Sequence, residues 1–343
     1  VRSKSFGHSG QNSLYTAVKK AGHKHKNENK INLIEDKHDN FTVYKSDNCH
    51  TFISIYIDEI HEENFFKDIF GYFFSDEKLL MYVNNKTSIN FTPTKANYCT
   101  LYKNLSLYFI DEENIEVNIN DFNEITKEVL LDEKELLEKD GKLYVRKDKI
   151  GKIGEYIFSS LLRDYFKFDC IIPKLLLTTD PNMNVYGIDA LFYSEKDDLL
   201  MFGEAKVSKK LENGIKLIRE SLKDYDRQIQ QEYKCVLTND IISKLLNKFP
   251  ERFGDIASVC ISIEDFIEKA EIKTIGIPLF IAHGEDTKPN EIIEMLRNIS
   301  FSKVLGLETK LVVISLPIID KKRFTVYLTK FIKEKLEEYN EKI

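Results

Sequence analysis

Three carboxylates and one lysine are the residues of this sequence whose types and spacing could do chemistry. Asp189 lies inside one apolar run, YGIDALFY, and Glu204 and Lys206 lie inside a second one, LLMFGEAKV. Glu155 lies in a third segment, GKIGEYIFSSLL. Charged side chains are rarely fully buried unless they are paired or coordinate a ligand. These segments therefore predict either a structural ion cluster or a functional site.

The atoms that these residues offer suit a hard divalent cation. Carboxylate oxygens of Asp189 and Glu204 and the backbone carbonyl oxygen of Ala205 are ligands that Mg²⁺ accepts, and Glu155 could reach the ion through a water. The ion polarises a phosphoryl oxygen and lowers the pKa of a bound water, while Lys206 could stabilise negative charge in the transition state. Attack on a phosphodiester uses all of these parts. The predicted cofactor is Mg²⁺, and Mn²⁺ is expected to support activity as well.

A buried ion network without function is the structural alternative, and such networks often add little net stability. Three acids against one lysine leave a net charge of −2. A buried network does not tolerate that imbalance without a cation, so the imbalance favours a site. The nearest rival pattern, Glu271-Ile-Lys273, begins a strand but has no acid inside an upstream strand.

One helix and one hairpin must position these residues. Residues two apart in a strand share a face, so Glu204 and Lys206 lie on the same side. The charged turn SEKDD joins their strand to the strand of Asp189, and the antiparallel pairing can bring Asp189 to the same end. Upstream, the predicted helix at 149–166 places Glu155 on an otherwise apolar stripe that faces the sheet.

The remaining segments predict the elements around this core. In the second half strands alternate with helices, which is typical of an α/β sheet with covered faces. Its amphipathic helix at 213–231 carries one apolar stripe, consisting of Ile215, Ile218, Leu222, Tyr225 and Ile229. The first half predicts strands at 40–46, 51–58 and 98–110, a helix at 61–74 and a helix at 122–140 that stops at Gly141.

Composition and charge suggest three parts. A chain of 343 residues with 42% apolar residues is large enough for two domains, with a boundary near residue 148. Residues 1–30 carry a charge of +6 within a total of −6, so they predict a basic flexible arm. The arm is either a binder of nucleic acid or of an acidic surface, or a solvated terminus. Residues 31–148 are predicted to be an N-terminal α+β domain.

Several classes of protein are excluded by what the sequence does not contain. No apolar run reaches the ~18 residues of a membrane span, and no signal-peptide pattern opens the chain. Five scattered cysteines without a CxxC pair argue for reduced thiols and predict a cytoplasmic protein. The chain has no phosphate-binding Gly-x4-Gly-Lys-Ser/Thr loop, so any ATP-driven work must come from another chain.

At these residues the sequence resembles the PD-(D/E)xK nuclease superfamily, in which a helix Glu, a strand Asp and a Glu-x-Lys strand assemble one metal site. In that match Glu155 corresponds to the helix acid, Asp189 to the strand acid, and Glu204 and Lys206 to the Glu-x-Lys pair. Residues 150–225, with GKIGEYIFSSLL, YGIDALFY and LLMFGEAKVSKKLENGIKLIRESLKDY, more narrowly resemble the nuclease subunits of Hachiman antiphage systems, the HamA family.

The resemblance carries expectations about fold, activity and partners. It implies a restriction-endonuclease-like α/β core at 149–343, with a mixed sheet flanked by helices, preceded by a family-specific domain at 31–148 that binds the partner. It also implies a Mg²⁺-dependent deoxyribonuclease that degrades DNA during phage infection together with a superfamily II helicase subunit, a HamB-like protein.

Two other functions compete with this interpretation. A catalytically silent module could use the same fold to bind nucleic acid or a helicase, but it has no need to keep a costly charge imbalance. A restriction-type endonuclease acting alone is disfavoured by the acidic body of the chain. The helix after the site also carries basic residues that could hold DNA phosphates or form a solvated face, namely Lys216, Arg219, Lys223 and Arg227.

Overall fold

The structure of the chain is a computed structural model, and it describes most of the sequence after residue 32. The described residues are 33–37, 42–46, 51–56, 62–86, 90–110, 113–147, 150–162, 169–173, 190–194, 198–237, 262–284, 288–301, 303–317 and 321–340. The predicted basic arm at 1–30 lies outside them.

Three strands followed by three helices begin the described part of the chain. They are β1 (Leu33–Lys37), β2 (Thr42–Ser46), β3 (Thr51–Tyr56), α1 (Glu62–Phe73), α2 (Asp76–Lys86) and α3 (Lys95–Ile110). They are followed by β4 (Glu113–Val117), a 3₁₀ turn (Ile119–Asp121), α4 (Glu124–Asp132), β5 (Leu136–Lys139), β6 (Lys142–Lys147) and α5 (Ile150–Ser160). Next come β7 (Asp169–Pro173), β8 (Ala190–Ser194), β9 (Leu199–Val207), α6 (Leu211–Lys223) and α7 (Tyr225–Leu237). The last are α8 (Ile263–Lys269), β10 (Thr274–His283), α9 (Pro289–Leu296), β11 (Lys303–Val304), β12 (Leu307–Pro317) and α10 (Lys321–Asn340).

A mixed sheet is the centre of the described structure. Its strand order is β1-β2-β3-β12-β10-β9-β8-β7, and β11 pairs with β12. The four central strands β3, β12, β10 and β9 are parallel, whereas both edges of the sheet are antiparallel. Parallel strands need helical crossovers that cover both faces, so the predicted mixed α/β sheet flanked by helices is confirmed.

Helices bury the two faces of this sheet separately, because successive strand residues point to opposite sides. One face, which we call the α5 face, packs Phe280 and Ala282 of β10 with α1, α3, α5 and α10. The other, which we call the α6 face, packs Leu279 and Ile281 with α6, α7, α8 and α9. Phe158 of α5 stacks on Phe280 with ring centroids 5.6 Å apart. No described helix is both long and apolar enough to cross a membrane.

The sheet does not divide at the predicted domain boundary near residue 148. Strands β1, β2 and β3 from the first half join it, since β3 pairs with β12. A second sheet, with the order β4-β6-β5, forms within residues 113–147. The assignment of residues 31–148 to a partner-binding domain stays a prediction.

Two elements of the first half differ from the sequence prediction. Residues 98–110 were predicted as a strand but lie in helix α3. Of the predicted helix at 122–140 only Glu124–Asp132 is helical, and the remaining residues include β5, which forms a hairpin with the following strand β6. Its turn residues Asp140 and Gly141 have φ values of 54° and 73°, the left-handed conformation that a tight hairpin turn requires. The strands at β2 and β3 and the helix at α1 are confirmed.

Candidate functional site

Strand β9 positions the candidate site in the middle of the sheet. It pairs with β8 on one side and with β10 on the other. Its nine residues are buried from Leu199 to Ala205 and half-buried at Lys206 and Val207. Glu204 therefore lies where a fully buried strand begins to emerge from the core, a position at which a carboxylate needs a partner.

Glu204 and Lys206 form an ion pair at this point of β9. Nζ of Lys206 donates a hydrogen bond to Oε1 of Glu204. The Glu204 side chain is 4% exposed and that of Lys206 is 27% exposed, so the lysine connects a buried carboxylate with solvent. By strand alternation the pair lies on the α6 face, which also holds Leu200 and Phe202. The predicted sharing of one face by Glu204 and Lys206 is confirmed.

Helix α5, which carries Glu155, packs on the other side of β9. Phe158 belongs to the cluster of the α5 face, and a Cβ atom added at Gly203 would lie 2.8 Å from its ring. Likewise, a Cβ atom at Gly154 would lie 2.5 Å from Cγ2 of Val207. These glycines let α5 and β9 approach closely. Glu155 is half-buried on this helix, which packs on the face of β9 opposite to the Glu204–Lys206 pair, and its contribution to a shared ion stays a prediction.

Asp189, the predicted strand acid, lies outside the described residues. The described strand β8 begins at the next residue, Ala190, which pairs antiparallel with Gly203, the residue before Glu204. The predicted pairing of the two strands is thus confirmed. Within the described ranges there is no group of three His, Cys, Asp or Glu side chains that could hold a metal ion. The carboxylate oxygens of the predicted ligands are of the chemical type that Mg²⁺ prefers. A metal site made of three acids requires Asp189, so it stays a prediction.

A buried carboxylate that contacts the residues following β9 was not predicted from the sequence. Glu133, which follows α4, is 5% exposed, and its Oε1 accepts hydrogen bonds from the hydroxyl of Ser208 and the backbone N–H of Lys209, the latter at 2.9 Å. Nδ2 of Asn213 donates to the same oxygen at 3.1 Å. These contacts join residues about 75 to 80 positions apart in the chain. Nothing in local periodicity indicates such a pairing.

The four basic residues predicted as possible phosphate ligands all make contacts within the chain. Lys216 pairs with Glu128 at 2.8 Å, and this hydrogen bond raises the pKa of the lysine above its usual value. Arg219 donates to the carbonyl oxygen of Asn298 at 2.7 Å. Lys223 and Arg227 form pairs with acids three positions before them on the chain. Their role toward DNA stays a prediction.

Comparison with known proteins gives one match. No curated protein and no solved structure matches the chain. A family model described as HamA matches residues 35–332, which is most of the chain and includes every described strand of the central sheet except part of β1. The chain therefore belongs to the HamA family of Hachiman antiphage defence.

Proposed function

We propose that this chain is a metal-dependent DNA nuclease that serves as the effector subunit of a Hachiman defence complex. The observation that carries the proposal is the Glu204–Lys206 pair, a nearly buried carboxylate and a partly exposed ammonium two residues apart on a central strand. Family membership supports the defence role. Phosphodiester hydrolysis is the chemistry that such a pair serves best, because it needs both an oxygen ligand for a cation and a positive charge near the phosphate.

Each residue of the site would have its own role in this reaction. Glu204 and Asp189, with the backbone carbonyl oxygen of Ala205, would hold the cation, and Glu155 would contribute through a water. When bound, Mg²⁺ polarises a phosphoryl oxygen and lowers the pKa of a bound water. Lys206 extends from the buried end of the pair toward solvent, where its ammonium group can contact a phosphate oxygen and stabilise the charge that develops there.

A catalytically silent module is the second candidate. A buried ion pair is often neutral for stability in comparison with apolar residues of the same volume, so stability alone gives little reason to keep Glu204 and Lys206. A silent module would nevertheless bind DNA or a helicase without cutting DNA. Cleavage assays therefore discriminate between the two candidates.

Metal removal gives the first prediction. The purified protein, alone or with its helicase, should cut DNA in Mg²⁺ or Mn²⁺ and stop when EDTA is added, because the carboxylates cannot activate water without the cation. Ca²⁺ is larger and more loosely coordinated, so it should permit DNA binding with little cleavage. The measurement is the loss of full-length DNA on a gel. Undiminished cutting in excess EDTA would rule out the metal mechanism.

The helicase partner gives the second prediction. We propose that a superfamily II helicase binds the N-terminal half, because a nuclease without a nucleotide-binding loop needs another chain to control it. Exposed apolar side chains are the usual centre of such an interface, and Leu131 and Leu137 are 63% and 45% exposed. Co-expression with the helicase should give one peak in size-exclusion chromatography. In the double variant Leu131→Asp with Leu137→Asp, the two proteins should elute as separate peaks.

Val326→Asp serves as the matched control for this experiment. Val326 is also 63% exposed but lies in α10, outside the N-terminal half. The control should leave the complex intact. Loss of the complex in the control, or its survival in Leu131→Asp with Leu137→Asp, would assign the helicase contact elsewhere.

A further inference from the structure

Residues 113–147 form a small unit that is attached to the rest of the protein through charges. The unit has its own sheet, and neither large hydrophobic cluster includes any of its described residues. Its contact with the α6 face is made by α4, which packs against α6. Val129 of α4 is buried, but the side-chain contacts described between this unit and the start of α6 are hydrogen bonds and ion pairs.

Opposite charges meet across this junction. We call Glu128, Asp132, Glu133 and Glu135 the acidic segment, and Lys209, Lys210, Lys216 and the first turn of α6 the lysine surface. Three pairs join them, namely Lys210 with Asp132 at 2.7 Å, Lys216 with Glu128 at 2.8 Å and Lys209 with Glu135 at 3.7 Å. Every acid of the segment thus contacts the lysine surface or the residues that adjoin it.

The fourth acid, Glu133, lies in a site built for an anion. One of its oxygens accepts hydrogen bonds from a backbone N–H, a hydroxyl and a side-chain amide, donated by Lys209, Ser208 and Asn213. Nζ of Lys209 also donates to the backbone carbonyl oxygen of Glu133. Helix α6 begins there, and its N-terminal backbone carries a partial positive charge. The same set of donors binds phosphate groups in nucleic-acid complexes.

We propose that the lysine surface binds the phosphate backbone of DNA and that the acidic segment covers it in this conformation as an internal competitor. The lysine surface begins three residues after Lys206, so DNA bound on it would lie beside the Glu204–Lys206 pair. This inference rests on the proposed nuclease function and names where the substrate backbone would bind.

The exposure of the pairs makes such competition physically reasonable. The side chains of Asp132 and Glu128 are 40% and 56% exposed, and their lysine partners are 46% and 31% exposed. Exposed pairs of this kind contribute little to stability, whereas a polyanion gains from every counterion that its binding releases. DNA can therefore displace several weak pairs at once.

DNA binding in the presence of EDTA tests the proposal without any cleavage. The full chain is titrated into a fluorescein-labelled duplex of about 20 base pairs, two turns of B-form DNA, and fluorescence anisotropy is measured. Glu128→Gln with Asp132→Asn should lower Kd about three- to tenfold, because Lys210 and Lys216 lose the acids that pair with them across the junction, although Lys216 keeps its pair with Glu212 at 3.5 Å. The slope of log K against log salt should also steepen by about 2.

A second double variant separates local competition from net charge. Glu116→Gln with Glu138→Gln makes the same change in charge at exposed acids of the same unit, and Glu116 pairs with Lys142 inside that unit. It should change Kd by less than about twofold. Adding Lys210→Gln and Lys216→Gln to the first double variant should abolish its increase in DNA affinity. The single substitution Glu128→Gln should move Kd in the same direction if the double variant does not fold.

The outcomes separate this inference from the proposed function. If both double variants bind DNA more tightly by the same factor, the increase in affinity is due to net charge, and the inference is overturned. If the double variant Glu128→Gln with Asp132→Asn is folded and binds DNA no more tightly than the wild-type protein, the acidic segment has a purely structural role. That result would also overturn the inference. Wild-type protein that binds DNA as predicted but never cuts it in Mg²⁺ would support the binding surface and refute the nuclease function.

Discussion

Glu204→Gln and Lys206→Ala should each lower the rate of Mg²⁺-dependent DNA cleavage by about 10²–10³-fold, the typical effect of losing a preorganised charge at a reacting phosphate or carbonyl. Glu204→Gln keeps the shape of the side chain and removes the charge that would bind the cation. Lys206→Ala removes the ammonium group that is hydrogen-bonded to Glu204 in the structure. The measurement is the single-turnover cleavage rate with protein in excess over DNA.

Stability changes should differ between the two variants, and they identify the cause of any lost activity. Lys206→Ala leaves the nearly buried Glu204 carboxylate without its lysine, and breaking a buried pair from one side costs up to about 3–5 kcal/mol. The 27% exposure of Lys206 places this pair at the lower end of that range. Glu204→Gln should cost less, because it buries no unpaired charge. Combining the two substitutions should recover much of the stability lost in Lys206→Ala without restoring cleavage.

The chain offers a matched control for both substitutions. Glu271-Ile-Lys273 has the same residue types at the same spacing, and both charged side chains are exposed. Glu271→Gln and Lys273→Ala should leave the cleavage rate and the midpoint of thermal unfolding nearly unchanged, as surface substitutions usually do. Wild-type cleavage rates in Glu204→Gln or in Lys206→Ala would show that the nuclease active site lies elsewhere, whereas the absence of cleavage by the wild-type protein would favour the catalytically silent module.

Local sequence patterns predicted the helices and strands whose apolar residues follow a regular spacing. The five apolar residues predicted to share a stripe in the segment 213–231 are all buried, although the helix is divided between α6 and α7 at Asp224. Strand β9 was predicted from its apolar run, and β10 and β12 belong to the alternation of strands and helices predicted for the second half. Their neighbours in the sheet depend on long-range contacts, and no local pattern indicates that β3 pairs with β12.

Aromatic composition misled the prediction for residues 98–110. Aromatic and β-branched residues favour strands, yet these residues form α3 because their aromatic side chains meet α10. Tyr98 and Tyr102 lie one helical turn apart, and both rings contact Tyr339, with centroids 5.7 Å and 6.1 Å away. The hydroxyl of Tyr102 also donates to Asp76 at 2.8 Å. Tertiary packing thus overrides intrinsic strand propensity in this segment.

A turn signal was overlooked in the segment 122–141. Asp-Gly between two short runs is a strong sign of a two-residue hairpin, and Asp140-Gly141 forms that turn. The prediction instead used Gly141 as the stop signal of a helix. The error concealed the small unit with Glu133, the buried carboxylate beside the candidate site. A contact between residues so far apart in sequence cannot be derived from spacing alone.

The site itself was predictable only where one strand contains it. Strand alternation places Glu204 and Lys206 on one face, and the structure confirms this. The side of the sheet on which α5 packs is a tertiary property. Two glycines that allow the close approach, Gly154 and Gly203, are visible in the sequence but carry no information about which partner they meet. The convergence of Glu155 on the pair therefore stays a prediction.

A fragment of residues 149–343, the predicted nuclease domain, should not fold by itself. Its strand β12 would lose its partner β3, which exposes a central strand edge that is prone to aggregate. Its helix α10 would lose the cover of α1 and α3. Phe324 of α10 makes edge-on ring contacts with Phe66 and Phe70 of α1, with centroids 5.4 Å and 5.1 Å apart.

The free energy lost by exposing buried side chains supports the expectation that the fragment does not fold. Four side chains that would be uncovered are at most 8% exposed in the full chain, namely Ile314, Phe324, Leu328 and Phe331. Exposing a buried side chain of this size costs about 1.5–3 kcal/mol, so the four together cost about 6–12 kcal/mol. That is comparable with the whole stability of a domain, about 5–15 kcal/mol. The fragment should be insoluble, or soluble without a cooperative thermal transition.

A chain that lacks only residues 1–30 is the matched control for the fragment. Every described strand and helix lies beyond that arm, so residues 31–343 should keep the oligomeric state of the full chain and unfold with a midpoint close to that of the full chain. Differential scanning calorimetry of the two truncated chains and the full chain makes the comparison. A soluble, monomeric fragment of residues 149–343 that unfolds cooperatively would establish residue 148 as a true domain boundary. Deletion of residues 31–148 could then be used to locate the helicase contact, whereas a fragment that does not fold leaves surface substitutions as the valid test.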